Sequence, residues 1–241
     1  DKAEVRRGRP TVHIQWNENT AILSGDQMMI EAYKLLAEVP ESKLHKVLRL
    51  FNEMATEICE GQQYDVDFES QEHVTIEEYL KMIRLKTSVL LATALQIGSY
   101  LAGANEAQQE ALYQFGINVG LAFQIQDDIL DVWGDPKTFG KAVGGDISCN
   151  KKTYVYLTAQ KLADDELTEE LHQWYGSVLD DNTEKIAAVK GIFEQLNVRA
   201  ACEAVVEDYT QKALLILDTL PQNAATEQLR QLANKLNTRK D

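Results

Sequence analysis

The sequence predicts an all-α fold, one large helical domain spanning residues 1–241. Three observations predict it. Apolar residues recur at three- and four-residue steps over long stretches, which is helical spacing. Only four prolines interrupt the chain, and neither strand-like alternation nor a Gly/Ser linker nor an internal repeat is visible. Hydrophobic residues make up 44% of the chain, enough at this length to form a large core.

After a polar, basic opening (Asp1 to Thr11) the helices follow in order. A first is expected over about 20–38, ended by Pro40. Ser42 can cap a second over about 43–63, with Leu44, Val47, Leu48, Phe51, Met54 and Ile58 on one face. Thr75 followed by Glu78 is a capping-box signature for a helix running to about 102. The stretch 106–134 is apolar in its middle on nearly every face, as in a helix surrounded by others. Pro136 follows it, then a loop with Gly140, Gly144 and Gly145. Asn150 is placed to cap a helix over about 151–163. Amphipathic segments over about 167–179, 183–219 and 224–237 complete the chain, the last two separated by Pro221.

The net charge of −14 argues against nucleic acid or an anionic lipid surface as a partner. Cys59, Cys149 and Cys202 are odd in number, far apart and lack metal-ligand spacing, so reduced thiols in a cytoplasmic protein are expected. The most apolar long stretch, Ser88 to Ala104, is broken by Thr93, Gln96, Ser99 and Tyr100 and is short for a membrane span, so no stable membrane insertion is expected. No signal peptide is visible. The chain opens at Asp1 without an initiator Met, and an upstream segment is expected.

The strongest local signal lies in Phe123 to Asp131, FQIQDDILD. Gln124, Asp127, Asp128 and Asp131 fall at helical same-face spacing. Like charges this close repel, and each is costly to bury unpaired. The flanking Leu121, Ala122, Ile129, Leu130 and Val132 argue against a solvated face. One physical solution is a hard divalent cation such as Mg²⁺, which prefers oxygen ligands and keeps waters and phosphate oxygens in its shell. The other reading is an acidic helix end with ordinary salt bridges. Lys141, Lys151 and Lys152 follow in the next stretch, either as surface lysines or as cations for an anionic ligand. The run Arg6-Arg7-Gly8-Arg9-Pro10 is either a solvated basic terminus or a bidentate phosphate binder.

These residues resemble a known family. Gly120 to Asp131 (GLAFQIQDDILD), with Gly134-Asp135 and Gly140-Lys141, looks like the second aspartate-rich motif of the trans-isoprenyl diphosphate synthases. Asn150-Lys151-Lys152-Thr153-Tyr154 resembles the lysine motif that follows it, and Lys86-Thr87 the family's Lys-Thr pair. Gly61-Gln62 with Asp65 resembles its GQxxD motif. Asp1 looks like the last aspartate of the first DDxxD motif, followed by Arg6-Arg7-Gly8. Pro10-Thr11, His13 and Ala21 to Asp26 continue the pattern, so the match covers residues 1–155 in order.

The resemblance implies a single helical bundle of the isoprenoid synthase type around a central cavity, usually homodimeric. It implies three Mg²⁺ ions, replaceable by Mn²⁺, held by Asp1, Asp127, Asp128 and Asp131 directly or through water. Arg6, Lys86 and Lys141 would bind an allylic diphosphate, and Arg7 isopentenyl diphosphate. Thr87, Gln124 and Lys151 would line the reacting end. Ionisation of the allylic diphosphate, attack by isopentenyl diphosphate and loss of a proton would give farnesyl or geranylgeranyl diphosphate. The upstream segment would carry the first aspartates of the first motif and the residues that set product length. Two alternatives share the fold: a class I terpene cyclase, and a non-catalytic partner subunit of a prenyl synthase.

Overall fold

A computed structural model describes residues 3–6, 8–135, 143–177, 179 and 181–237. They form two compact units, residues 1–52 and 53–241.

The first unit opens with a two-residue hairpin, a departure from the helices-only expectation. β1 (Val5–Arg6) pairs antiparallel with β2 (Arg9–Pro10), Val5 opposite Pro10 and Arg6 opposite Arg9. Gly8 turns the hairpin at φ +70°, a conformation that side chains disfavour. Thr11 closes it, its hydroxyl donating to the Ala3 carbonyl at 2.7 Å. A short α1 (Val12–Gln15) leads to α2 (Glu18–Ala37), whose cap Asn17 accepts from the Thr20 N–H at 2.8 Å. Tyr33 of α2 packs edge-on against Phe51 at 5.3 Å and donates to Asn52.

α3 (Glu41–Ser70) runs about two turns beyond the 43–63 read from sequence. Its extension is supported by Tyr64 and Phe68, one turn apart with rings 6.1 Å apart. In the second unit, α4 (Ile76–Ile83) starts at the expected capping box, both halves of which form. The helix expected to run on to 102 is interrupted. Residues Arg84–Ser88 form a π segment before α5 (Val89–Leu101).

α6 (Glu106–Trp133) is the central helix, with fourteen buried residues. It runs antiparallel to the 84–101 stretch at glycine distance. A Cβ on Gly120 would lie 2.5 Å from the Ser88 Cα, and one on Gly116 would lie 2.5 Å from the Ala92 Cα. After α6 come α7 (Gly145–Ser148), α8 (Tyr154–Leu162), α9 (Asp165–Gly176), α10 (Thr183–Gln195), α11 (Val198–Asp218) and α12 (Ala224–Asn237). Phe115 and Val119 of α6, Ala213 and Leu217 of α11, Leu220 and Ala233 of α12 share one core cluster.

Further boundaries differ from the sequence reading. The helix expected over 151–163 starts three residues later, because Thr153, not Asn150, is its cap. Asn150 instead adopts a left-handed φ of 56°. The helix expected over 183–219 breaks at Asn197, left-handed at φ 52°, a conformation that Asn tolerates better than most residues. The three cysteines are all free. Among the described residues no helix is long and apolar enough to cross a membrane.

Candidate active site

On α6 the four expected residues sort into two columns, each one turn long. Gln124 and Asp128 form one, Asp127 and Asp131 the other, and adjacent positions diverge by about 100° around a helix. The Gln124 amide donates to Asp128 Oδ1 at a loose 3.4 Å. Thr87, in the π segment, donates its hydroxyl proton to Gln124 Oε1 at 3.1 Å. Gly120 makes this possible: without a side chain there, α6 comes close enough to Ser88 for Thr87 to reach Gln124. π segments widen a helix by one residue and often occur at functional sites.

Asp128 is 4% exposed. Its Oδ2 accepts the Tyr79 hydroxyl at 2.6 Å and the Tyr154 backbone N–H at 3.1 Å. Burial and then the nearby Asp146 charge push its carboxyl up to about 8, against the lowering effect of those hydrogen bonds. Burial and the Asp128 charge hold the Tyr79 hydroxyl well above its ordinary value. Asp131, 8% exposed, accepts the Asp146 N–H on Oδ2 at 3.0 Å, and its backbone carbonyl accepts from Gly144 at 2.7 Å. Gly144 has φ +84°, so the chain returns onto α6 through a conformation suited to glycine. Asp127 is half-buried.

The cations sit beside carboxylates. Lys86 pairs with Asp65 at 2.6 Å, joining the Lys-Thr pair to the GQxxD aspartate. Lys151 lies 3.4 Å from Asp146. Lys152 turns to the backbone instead, donating to the Phe68 carbonyl at 2.9 Å. Arg6 sits on β1 across from Arg9 in the first unit. Asp1, Arg7 and Lys141 lie outside the described residues.

The structure therefore joins Thr87, Gln124 and Asp128 in one hydrogen-bonded chain and docks the Asp146 segment on Asp131. Among the described residues no three His, Cys, Asp or Glu side chains converge on one ion position. The donors are nonetheless all oxygen, from the carboxylates of Asp127, Asp128, Asp131 and Asp146. That set suits a hard cation whose shell is completed by waters and phosphate oxygens. Asp146 and Tyr79 were missed as site residues. Asp146 followed a glycine pair with nothing to mark it, and Tyr79 meets Asp128 from 49 residues away.

The profile of the polyprenyl synthetase family matches residues 1–196. The chain belongs to this family. The short chain isoprenyl diphosphate synthase of Methanocaldococcus jannaschii is 42% identical over 178 residues, covering 73% of this chain and 54% of that protein. The chain thus spans about half the length of that curated relative. Among solved structures, a geranylgeranyl pyrophosphate synthase matches with TM-score 0.92 and 45% identity, covering 99% of this chain and 74% of its own. The geranylgeranyl pyrophosphate synthase of Corynebacterium glutamicum, complexed with isoprenyl diphosphate and magnesium, matches with TM-score 0.88 and 27% identity over 98% of this chain and 72% of its own. The all-α isoprenoid synthase fold expected from the motifs is the fold these polyprenyl synthetase relatives share.

Proposed function

We propose that the full-length protein is a short-chain isoprenyl diphosphate synthase, a metal-dependent prenyltransferase making farnesyl or geranylgeranyl diphosphate from isopentenyl diphosphate and an allylic diphosphate. The observation that carries this reading is the hydrogen-bonded chain from the half-buried Thr87 and Gln124 to the buried Asp128, beside the Asp127/Asp131 column. Asp127 and Asp131, with Asp1, would hold Mg²⁺, for which Mn²⁺ can substitute. When bound, such ions neutralise the diphosphate and make it a leaving group.

Each residue then has a defined task. Lys86, Lys141 and Arg6 bind the allylic diphosphate, and Arg7 binds isopentenyl diphosphate. The allylic C1–O bond breaks and its electron pair leaves with diphosphate. The isopentenyl double bond then forms the new C–C bond, and a proton is lost to the departing diphosphate. The Thr87 proton is committed to Gln124, so what its hydroxyl offers a neighbouring positive charge is lone pairs. Lys151 sits beside Asp146, where its charge can follow the diphosphate. Leu121, Ala122 and Ile125 of α6 are buried, and apolar surroundings of this kind keep water from quenching a cation. One synthase domain over residues 1–241, a homodimer and a cytoplasmic setting belong to the same proposal.

The test is to incubate the full-length protein with labelled isopentenyl diphosphate and dimethylallyl or geranyl diphosphate, with Mg²⁺ or with excess chelator. Linear C15 or C20 diphosphates formed only with metal support the reading. A longer linear product overturns the product assignment alone. Cyclic hydrocarbons indicate a terpene cyclase, and no turnover indicates a non-catalytic subunit.

A further inference from the structure

We propose that Tyr79 is a positioning residue for the aspartate helix, and that Asp128 is the anchor it grips rather than a metal ligand. The inference rests on the metal reading of α6 given above and divides the labour within it. A carboxylate oxygen has two in-plane lone pairs. On Asp128 Oδ2 both face protein donors, the Tyr79 hydroxyl at 2.6 Å and the Tyr154 N–H at 3.1 Å. Oδ1 faces the Gln124 amide at 3.4 Å. The three partners come from three directions: Tyr79 from α4, Tyr154 from the start of α8 and Gln124 from α6 itself.

A cation on Oδ2 would have to displace one of these donors. The displaced group would have nowhere to go. Tyr79 is 5% exposed, and the Tyr154 N–H belongs to the first turn of α8, where no intrahelical acceptor exists. Leaving either donor unpaired in a buried position is costly. Asp127 and Asp131 lie in the other column, Asp131 with the Asp146 N–H on its Oδ2 at 3.0 Å, and the reading of α6 given above assigns the metal duty on this helix to them.

The bond also sets a register. Along the antiparallel seam between residues 79–92 and α6, the meeting points are Tyr79 with Asp128, Thr87 with Gln124, Ser88 with Gly120 and Ala92 with Gly116. As one number rises the other falls. Tyr79–Asp128 is the polar pin at the end of this seam, and the two glycine contacts are its close steric stops. A slip at the pin would move Lys86 and Thr87 along Gln124. The Tyr154 N–H ties the Lys151-Lys152-Thr153 stretch to the same carboxyl. One buried side chain thus fixes the segments bearing Lys86 and Thr87, Asp127 and Asp131, and Lys151.

The test measures Mn²⁺ binding to the full-length protein with inorganic pyrophosphate present, by electron paramagnetic resonance or calorimetry, together with melting temperature and steady-state rates. Asp127→Asn should weaken Mn²⁺ binding by about tenfold or more, the scale of losses when metal sites are disturbed. Asp128→Asn keeps an oxygen to accept from Tyr79 and Tyr154 and should leave Mn²⁺ binding unchanged, with a melting temperature above that of Asp128→Ala. Tyr79→Phe should lower the melting temperature and kcat, with Mn²⁺ binding retained. If Asp128→Asn loses Mn²⁺ as severely as Asp127→Asn, Asp128 is a ligand and the proposal is overturned. If neither variant changes Mn²⁺ binding, the metal reading of α6 is what fails, and the anchor is then judged by melting temperature. Unchanged melting of both Tyr79→Phe and Asp128→Ala overturns it.

Discussion

Gly61→Ala places a single methyl where the lysine-bearing π segment meets α3. The added Cβ would lie 2.8 Å from the Leu85 carbonyl carbon and from its Cβ, and closer still to the Lys86 nitrogen. Ordinary carbon contacts lie at about 3.5–4.0 Å, so relief requires a displacement of about 1 Å. Most of the obstacle is backbone, which cannot swing aside as a side-chain tip can. Overpacking of this kind costs about 1–3 kcal/mol, and alanine returns about 1 kcal/mol of helix propensity over glycine. The expected net loss is about 0–2 kcal/mol, or up to about 8 °C in Tm for a chain of this size. The effect on rate should be larger. Gly61 and Asp65 are one turn apart on α3, and Asp65 holds Lys86 at 2.6 Å, so the displacement falls on a residue proposed to bind diphosphate. A misplacement of about 1 Å can cost about 10²-fold in rate. Gly191→Ala is the control: it lies in α10 with nothing within 4 Å of an added Cβ and should raise Tm slightly. Calorimetry and kcat/KM on both variants decide. If Gly61→Ala behaves like Gly191→Ala, with a raised Tm and unchanged kcat/KM, the close contact between α3 and the π segment is refuted.

Asp127→Ala should lower kcat by about 10²–10³, the usual loss when a charge contact made in the transition state is removed, while the metal-free Tm holds or rises because one repelling charge is gone; a fall in Tm with kcat per folded molecule preserved would mark it as structural. Asp128 should make the metal-free protein pH-sensitive. Its folded carboxyl lies at about 8 against an ordinary 3.8, so its contribution to stability is complete below the ordinary value and is lost as pH rises through about 8. The Tm of the wild type should therefore fall relative to that of Asp128→Asn between acidic and mildly alkaline pH, and a constant difference would contradict this. Arg6→Ala should raise KM mainly for the allylic substrate and Arg7→Ala mainly for isopentenyl diphosphate, the division that the motif resemblance implies; equal changes in both constants would refute it.

The parts of the molecule governed by local chemistry were legible in the sequence. The Thr75/Glu78 box and the span of α6 followed from capping chemistry and apolar periodicity, and both are present. What escaped depended on tertiary contact. The π segment at Arg84–Ser88 has ordinary helical spacing, and only its packing against Gly61 and Gly120 distinguishes it. Asn150 had the chemistry of a cap but is engaged by the buried Lys185, which donates to its side chain and to the Ser177 carbonyl. The break at Asn197 left no proline or glycine to mark it. At the site, Gln124, Asp127, Asp128 and Asp131 were found as one face, whereas neighbours 79 and 154 divide that face in two. No local pattern reveals which of two adjacent aspartates meets a tyrosine from another helix.

The most direct measurement of the central claim is chain elongation by the full-length protein, followed with labelled isopentenyl diphosphate and an allylic diphosphate while Mg²⁺ is withdrawn and restored. Linear prenyl diphosphate that forms with the metal, stops in excess chelator and resumes on re-addition is the expected result. Elongation that continues undiminished in chelator, or no elongation under any metal condition, would contradict it.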